Sequence, residues 1–505
     1  MHLRFQEFDD FLVFNKPFGV RTHKVADHQY GFVEFLSEKL NRELWVVHRL
    51  DKETSGLMLF ATNKKAAAEL SALFESHKIR KSYLFLTDRP HATATINVKT
   101  HIEKQDHFFV NKDGAAPNSE TDFEFVGSHE KFFLWKAFPK TGKPHQIRLH
   151  AQKAGIPILG DNEHAGSVHH RLALHSETLE FTWNDTSIAL SNEPPRMMSL
   201  FEDCYYSRHS LYMIDKGESY RLVHKESQDV RADVFSDRLW VYDYTEAGLK
   251  EVRLSEIKSF AKNKELILHV RHMLDRGQGV GGLEKSTLAS ENSENWVARE
   301  EGVSYLMKTD SGFSPGLFLD QRENRQFVRQ MAQGKKVLNL FSYTSGFSVQ
   351  SALGGAEKVT TVDVSEKFLN WSRENFKLNN IKDSSHEFFA QDCMVFLKGS
   401  VKRNRTWDLI ICDPPSFGRS KDSVWKIEKD LPALAELLLQ CLSKGGSVLF
   451  TCNYEKKNRT EVIKLFCSKL QKNKFEISDL PMQSLDFEVT DEHANLLKGF
   501  LVTKK

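Results

Sequence analysis

Two short stretches concentrate the residue types that do chemistry. In "HRLDKETSGL", His48 to Leu57, one carboxylate, Asp51, stands between a basic pair, His48 and Arg49, and the small residues Thr54, Ser55 and Gly56. No metal-ligand spacing and no obvious partner base accompany it, and taken alone it suits the cap of a helix or turn. In "DPPSFGRSK", Asp413 to Lys421, an acid and two prolines, Pro414 and Pro415, follow the apolar run "DLIIC". Prolines make a rigid loop without N–H donors, so its carbonyls can face a base, and Phe417 can stack on one. Upstream, "VLNLFSYTSG", Val337 to Gly346, ends a strand in small residues that let backbone approach a ligand. "VTTVDV" then brings Asp363 to the end of the next strand, where a carboxylate suits the two hydroxyls of a ribose. "AQDC" brings Asp392 to the strand end after that. Taken alone, Asp363 equally suits a helix cap.

The elements that must hold these residues divide the chain. At 505 residues it is too long for one core, so two or three domains are expected. Residues 1–200 read as mixed, β-rich structure, with strands in "FLVFNKPFG", "SYLFLT", "DFEFVG" and "FFLWKAF" and a helix over Lys64 to His77. The prolines of "NEPPRMM", Pro194 and Pro195, mark the first boundary. Residues 205–283 form a small α/β module with strands in "SLYMI", "YRLVH", "ADVF", "LWVYDY" and "ELILHVR", a hairpin turning at Ser236 and Asp237. The polar stretch from Glu284 is the expected linker, over 284–299. From 300 to 505 strands alternate with helices, which predicts a parallel, doubly wound sheet.

Composition narrows the partners. Net charge is +2, and residues 1–200 hold 25 Lys and Arg against 25 Asp and Glu, so RNA affinity must come from local patches. No apolar run approaches the roughly 20 residues that span a bilayer, and "MHLRFQEFDDF" lacks a signal-peptide core, so a cytoplasmic protein with no membrane partner is expected. The six cysteines show no CxxC and read as reduced, buried thiols. His145, His150, His164, His169 and His170 cluster in sequence without carboxylate or thiolate spacing, and no metal is expected there.

Three segments of the first part belong together: "NKPFGVRTH", "HRLDKETSGL" and "TGKPHQIRLHAQKAGIPILGD", with "IRKSYLFL" between the last two. In this order they resemble the RluA family of RNA pseudouridine synthases over residues 8–200. The resemblance implies an α+β domain with a mixed antiparallel sheet. It also implies isomerisation of uridine without cofactor or metal. Asp51 is then the nucleophile, and Arg49 fills the gap left by the flipped nucleotide. Tyr83 packs on the base and Arg148 pairs with the catalytic carboxylate. Flipping costs a few kcal/mol, so an aromatic and a cation in the pocket are expected. Two departures bear on substrate contacts: Lys143 and Pro144 replace the usual Arg and Thr before HQIR, and "NEHAG" follows Asp161 where a Tyr-Gly pair is usual.

Residues 300–505 resemble large-subunit rRNA methyltransferases of the RlmK/RlmI type, through "GLFLDQRENR", "NLFSYTSG", "VDVS" and "DPPSF". This implies a Rossmann-like class I fold with S-adenosyl-L-methionine held by Asp320, Gln321, Asn339, Phe341, Tyr343, Thr344, Gly346, Asp363 and Asp392. The target base would lie at Asp413, Pro414, Pro415 and Phe417. "TTVDVSEKFLNWSREN" and "LDFEVTDEHANLLKGFLV" look closer to the guanine-N7 branch. The cytosine-carbon branch carries a TCSC-like run, and here "TCNYEK" keeps Cys452 but has Tyr454 for the second cysteine. Ser345 stands where glycine is frequent. The expected substrate is RNA, ribosomal RNA of the large subunit, with transfer RNA open for the first domain. A chain with one active domain and one that only binds RNA, or a non-enzymatic assembly factor, are the competing readings.

Overall fold

The computed structural model describes residues 1–24, 31–105, 108–112, 114–273, 294–311, 314–419, 424–487 and 497–505. Most of the expected linker, 284–293, and the segment 488–496 of the late "LDFEVTDEHANLLKGFLV" run lie outside the described residues. The chain divides into two compact units. Unit 1 comprises residues 1–215, 222–232 and 243–266; unit 2 comprises residues 216–221, 233–242 and 267–505. Residues 205–283 thus fall partly in each.

Unit 1 is built on a mixed eleven-stranded sheet. Its inner strand Ser55–Ala61 is buried along its whole length, as its near-continuous apolar sequence requires. It pairs antiparallel with Phe11–Lys16 and parallel with Leu174–Trp183. Gly56 stands at the second pairing with φ +120°, and a Cβ there would lie 2.2 Å from the Ser176 carbonyl oxygen, so only glycine fits. Leu174–Trp183 continues to Arg80–Thr87, then Phe132–Pro139, Ser119–His129 and Thr95–Gln105, all antiparallel. Helix Gln146–Lys153 packs Ile147 and Ala151 against Phe85, Phe123 and Trp135 of these strands. The helix expected over Lys64 to His77 spans Lys64–Glu75: Asn63 caps it by accepting from the Ala66 N–H, and His77 leaves it with φ 56°. The strand expected at "SLYMI" shrinks to Tyr212–Met213, because helix Leu200–Leu211, capped by Ser199, occupies its start.

Unit 2 contains a seven-stranded sheet whose five parallel strands run in the spatial order Glu387–Ala390, Lys358–Asp363, Lys336–Leu340, Trp407–Cys412, Leu442–Cys452. Lys498–Lys504 and Phe475–Ser478 close it antiparallel. The order reverses between Lys336–Leu340 and Trp407–Cys412, which is where open α/β sheets leave a ligand crevice at the carboxyl ends. Helices Gly346–Leu353, Glu366–Leu378 and Cys393–Lys402 follow the first three strands of the chain order. The linker expectation ends early: Asn295–Glu300 is a strand paired with Val303–Lys308, because Trp296, Ala298 and Glu300 alternate inward. Ser236, with φ 63°, turns the chain between Val230–Phe235 and Arg238–Asp243.

Candidate active sites

In unit 1 the turn carrying Asp51 is held from both sides. His48 accepts the Leu59 N–H at its Nε2 (3.0 Å) and stacks on Phe74 at 4.2 Å. Burial, then the nearby Lys81 charge, push its imidazole down to about 3, so it is a neutral anchor at pH 7. On the other side the fully buried Lys16 ammonium donates to the carbonyls of Pro17 (2.9 Å), Val20 (2.7 Å) and Lys52 (3.0 Å). The Asp51 carbonyl accepts the Thr54 N–H at 3.1 Å. Its carboxylate is 34% exposed, with Oδ2 3.9 Å from Arg148 Nη1.

Arg148 projects from helix Gln146–Lys153 and is the hub of this site. It grips Asp161 at two points, Nε to Oδ2 at 2.7 Å and Nη2 to Oδ1 at 2.6 Å, and Nη2 also donates to Glu163 Oε2 at 2.8 Å. The Asp51 contact is therefore the loosest of its carboxylate pairings. Asp161 Oδ1 also accepts the N–H groups of Glu163 (3.3 Å) and His164 (3.2 Å), fixing the loop that departs from the family pattern. Tyr83 lies in strand Arg80–Thr87; burial and the neighbouring Asp51 carboxylate push its phenol up to about 12, so it stays protonated. Arg49 is exposed. The structure thus gathers Asp51, Tyr83 and Arg148 and leaves Arg49 at the surface. Lys16, Asp161 and Glu163 belong to the site without having been assigned a role from sequence.

In unit 2 a cavity of about 410 Å3 opens at the reversal of strand order. Its walls include Asp320, Gln321, Asn339, Phe341, Tyr343, Thr344, Gly346, Asp363, Asp392, Asp413, Pro414 and Pro415, all residues singled out from sequence. Phe417 begins a short strand, but its side chain lies outside the described residues. The loop after Lys336–Leu340 alternates into left-handed backbone at Phe341 (φ 54°), Tyr343 (φ 49°) and Ser345 (φ 69°). That conformation explains why glycine suits position 345; Ser345 is accommodated with its hydroxyl 2.5 Å from that of Ser372. Gly346 serves protein packing, since a Cβ there would meet Leu317 at 3.1 Å and Arg325 at 3.3 Å.

The acids of the cavity are individually fixed. Asp363 accepts the Tyr343 N–H at Oδ2 and the Ser365 N–H at Oδ1, both at 2.9 Å, while burial raises its carboxyl above the usual range. Asp392 caps helix Cys393–Lys402 through the Val395 N–H (3.1 Å). Asp320 accepts from Asn453 at 3.3 Å. Gln321 donates through Nε2 to Asp413 Oδ2 (2.9 Å) and Thr451 Oγ1 (3.0 Å), with its own oxygen taken by Asn324 at 2.7 Å. Burial pushes Asp413 up to about 6. Asn339 donates to Ser348 Oγ at 2.9 Å. The aromatic wall was missed in the sequence: Trp425 donates to the Pro415 carbonyl at 2.6 Å and lies 5.7 Å from Phe341, and Phe318 and Phe368 flank Tyr343. Only their apolar character marked them, and that is the signal of any core residue.

Known proteins resemble the two units separately. Residues 10–153 match the family of RNA pseudouridylate synthases, and residues 252–460 that of S-adenosylmethionine-dependent methyltransferases. The ribosomal RNA large subunit methyltransferase K/L of Pseudoalteromonas atlantica is 35% identical over 237 residues, 45% of this chain and 32% of that protein. The ribosomal RNA large subunit methyltransferase K of Neisseria meningitidis is 32% identical over 229 residues, 44% of this chain and 65% of that protein. The chain thus spans about a third of the K/L protein's length. The crystal structure of SMU.776, a candidate methyltransferase complexed with SAH, is 25% identical, with a TM-score of 0.52, covering 65% of this chain and 88% of its own. Among the described residues no helix is long and apolar enough to cross a membrane. One chain thus joins a segment that matches the RNA pseudouridylate synthase family to a segment that matches the S-adenosylmethionine-dependent methyltransferase family.

Proposed function

We propose that the chain is a bifunctional RNA-modifying enzyme, converting one uridine to pseudouridine with unit 1 and methylating one guanine at N7 with unit 2. Its proposed substrate is ribosomal RNA of the large subunit, the RNA named in the descriptions of its relatives. The observation that carries this reading is that each unit gathers its own set of groups around its own site: Asp51, Tyr83 and Arg148 in one, Asp363, Asp392 and Asp413 to Pro415 in the other.

In unit 1, Asp51 attacks while Arg148 balances its charge and Tyr83 walls the flipped base. The bond from base nitrogen to ribose breaks, the base turns, and a bond to a ring carbon replaces it. That carbon loses a proton and the freed nitrogen gains one, so no oxidant is consumed. In unit 2, Asp363 accepts the ribose hydroxyls of the methyl donor, and Asp392 borders the same cavity. S-adenosylmethionine, when bound, supplies an electrophilic methyl group. Asp413 and the carbonyls of the proline loop orient the base. Guanine N7 already presents a lone pair, so transfer needs alignment and no covalent nucleophile. Cysteine chemistry suits this chain poorly: Cys452 is buried, and burial pushes its thiol up to about 12, while burial also holds the Cys412 thiol well above its ordinary range.

The test compares RNA from cells carrying the wild-type chain, Asp51→Ala and Asp413→Ala, by nucleoside mass spectrometry and carbodiimide mapping. Loss of one pseudouridine in the first variant and of one 7-methylguanine in the second is expected. Unchanged pseudouridine in Asp51→Ala would reduce unit 1 to an RNA-binding domain. That second reading is favoured by one observation, the diversion of Arg148 to Asp161 and Glu163. Loss of a methylcytosine instead would refute the guanine assignment.

A further inference from the structure

Beside Arg148, three groups from two segments meet in a way their spacing does not announce. His145 precedes helix Gln146–Lys153, and Glu163 and His164 lie on the loop held by Asp161. His145 Nδ1 stands 3.1 Å from His164 Nε2, Glu163 Oε2 stands 3.5 Å from His145 Nδ1, and 3.9 Å separates Glu163 Oε2 from His164 Nε2. We propose that His145, Glu163 and His164 form a binding site for a divalent transition-metal ion of the zinc class.

The geometry fits such an ion closely. A tetrahedral centre with bonds of about 2.0–2.1 Å holds its ligand atoms about 3.3 Å apart. The observed edges bracket that value, and only Glu163 needs to move. Glu163 is the mobile partner of the three, since its side chain is 50% exposed whereas His145 is 24% and His164 8% exposed. Two imidazoles and one carboxylate are the ligand set that leaves a fourth position open to water or substrate. The two ring nitrogens 3.1 Å apart share one proton in their hydrogen bond. When the ion takes both nitrogens that proton moves to the far nitrogen of its own ring, so each histidine binds as a neutral imidazole.

The neighbouring guanidinium does not block the site. Arg148 Nη1 is 3.2 Å from both ring nitrogens of His145, and the bond from its Nη2 to Glu163 Oε2 (2.8 Å) is the one the ion displaces. The Arg148 charge is met by the two-point grip on Asp161. The loop is rigid where ligands require it: the Glu163 and His164 N–H groups are pinned to the Asp161 carboxylate, and His145 (φ 54°) and Ala165 (φ 63°) hold left-handed backbone on either side. Glu163 and His164 are both part of the departure noted in "NEHAG". On the reading of unit 1 given above, an ion that takes Glu163 leaves Asp51 and Asp161 as the carboxylates facing Arg148.

Titration of the full chain with Co2+, after removal of metal by a chelator, tests the site by its visible ligand-field spectrum and without reference to RNA modification. A spectrum saturating at one equivalent and displaced by Zn2+ is expected. Glu163→Gln and His164→Ala should each weaken apparent Co2+ affinity about tenfold or more, and His169→Ala should leave it unchanged. Glu163→Gln keeps its size at an exposed position, so the result does not hinge on folding. Absence of a saturable spectrum, or an unaltered titration in the Glu163→Gln/His164→Ala double variant, would overturn the proposal.

Discussion

Asp413 illustrates how much a single side chain depends on its enclosure. Burial pushes its carboxyl up to about 6, and the amide of Gln321 donates to it. Its ionised form is therefore the one disfavoured in the folded chain: its contribution to stability is full below the ordinary carboxylate range and declines as pH rises to about 6. If the carboxylate orients the base, single-turnover methyl transfer should climb roughly tenfold per unit as pH rises toward 6 and level off above it. Asp413→Asn should be slow at every pH. A wild-type rate flat across pH 5 to 7 would remove Asp413 from the step. Asp363, Asp392 and Asp413 were legible in the sequence because each ends a strand of an alternating α/β pattern, and such ends converge. Glu163, Lys16 and Trp425 were not, because each acquires its meaning from a partner outside its own element: Arg148, Lys52 and the Pro415 carbonyl.

Elements show the same division between local pattern and remote partner. The strands and helices of unit 2 were readable because runs such as "DLIIC" and "SVLFTC" are mostly apolar and separated by amphipathic helices. Helix Leu200–Leu211 escaped notice because Asp203, Ser207 and Arg208 interrupt its inward face. Asp203 is paired there with His170 at 2.8 Å, and Arg208 with Glu226. Strand Asn295–Glu300 was hidden in the same way, since its last inward residue is Glu300. That carboxylate is fully buried and takes both forks of Arg325, Nε at 2.7 Å and Nη2 at 2.5 Å, which ties the strand to helix Arg322–Met331. Arg322 on the same helix turns to Asp486 at 3.1 Å and Ser484 at 3.0 Å. Removing one member of such a pair leaves a buried charge uncompensated. Glu300→Gln should therefore destabilise unit 2 by about 3 kcal/mol, read as a lower urea midpoint. A change below about 0.5 kcal/mol would mean that water reaches Arg325.

On the scale of the whole molecule, acid is the condition that separates the terms holding unit 1 together. His150 and His175 are fully buried, and each ring is satisfied as a neutral group. His150 meets Thr100 and Thr121 at 2.8 Å, and His175 meets Ser55 at 2.8 Å and Asn192 at 3.2 Å. Burial pushes His150 down to about 4 and His175, with help from the Arg171 charge, down to about 3. An unfolded chain takes up both protons near pH 6.5, so the folded state is at a disadvantage as pH falls from there toward 4. Each imidazole contributes about 1.4 kcal/mol of lost stability per pH unit in that window. The loss should appear in urea unfolding at pH 7 and pH 5 as a falling midpoint, followed by hydrogen exchange of strand Leu174–Trp183 and helix Gln146–Lys153, which carry these two residues. His175→Gln should flatten that dependence by about one proton's worth even if it lowers stability at pH 7. Equal protection of both elements at the two pH values would show that the buried rings accept protons in the folded state.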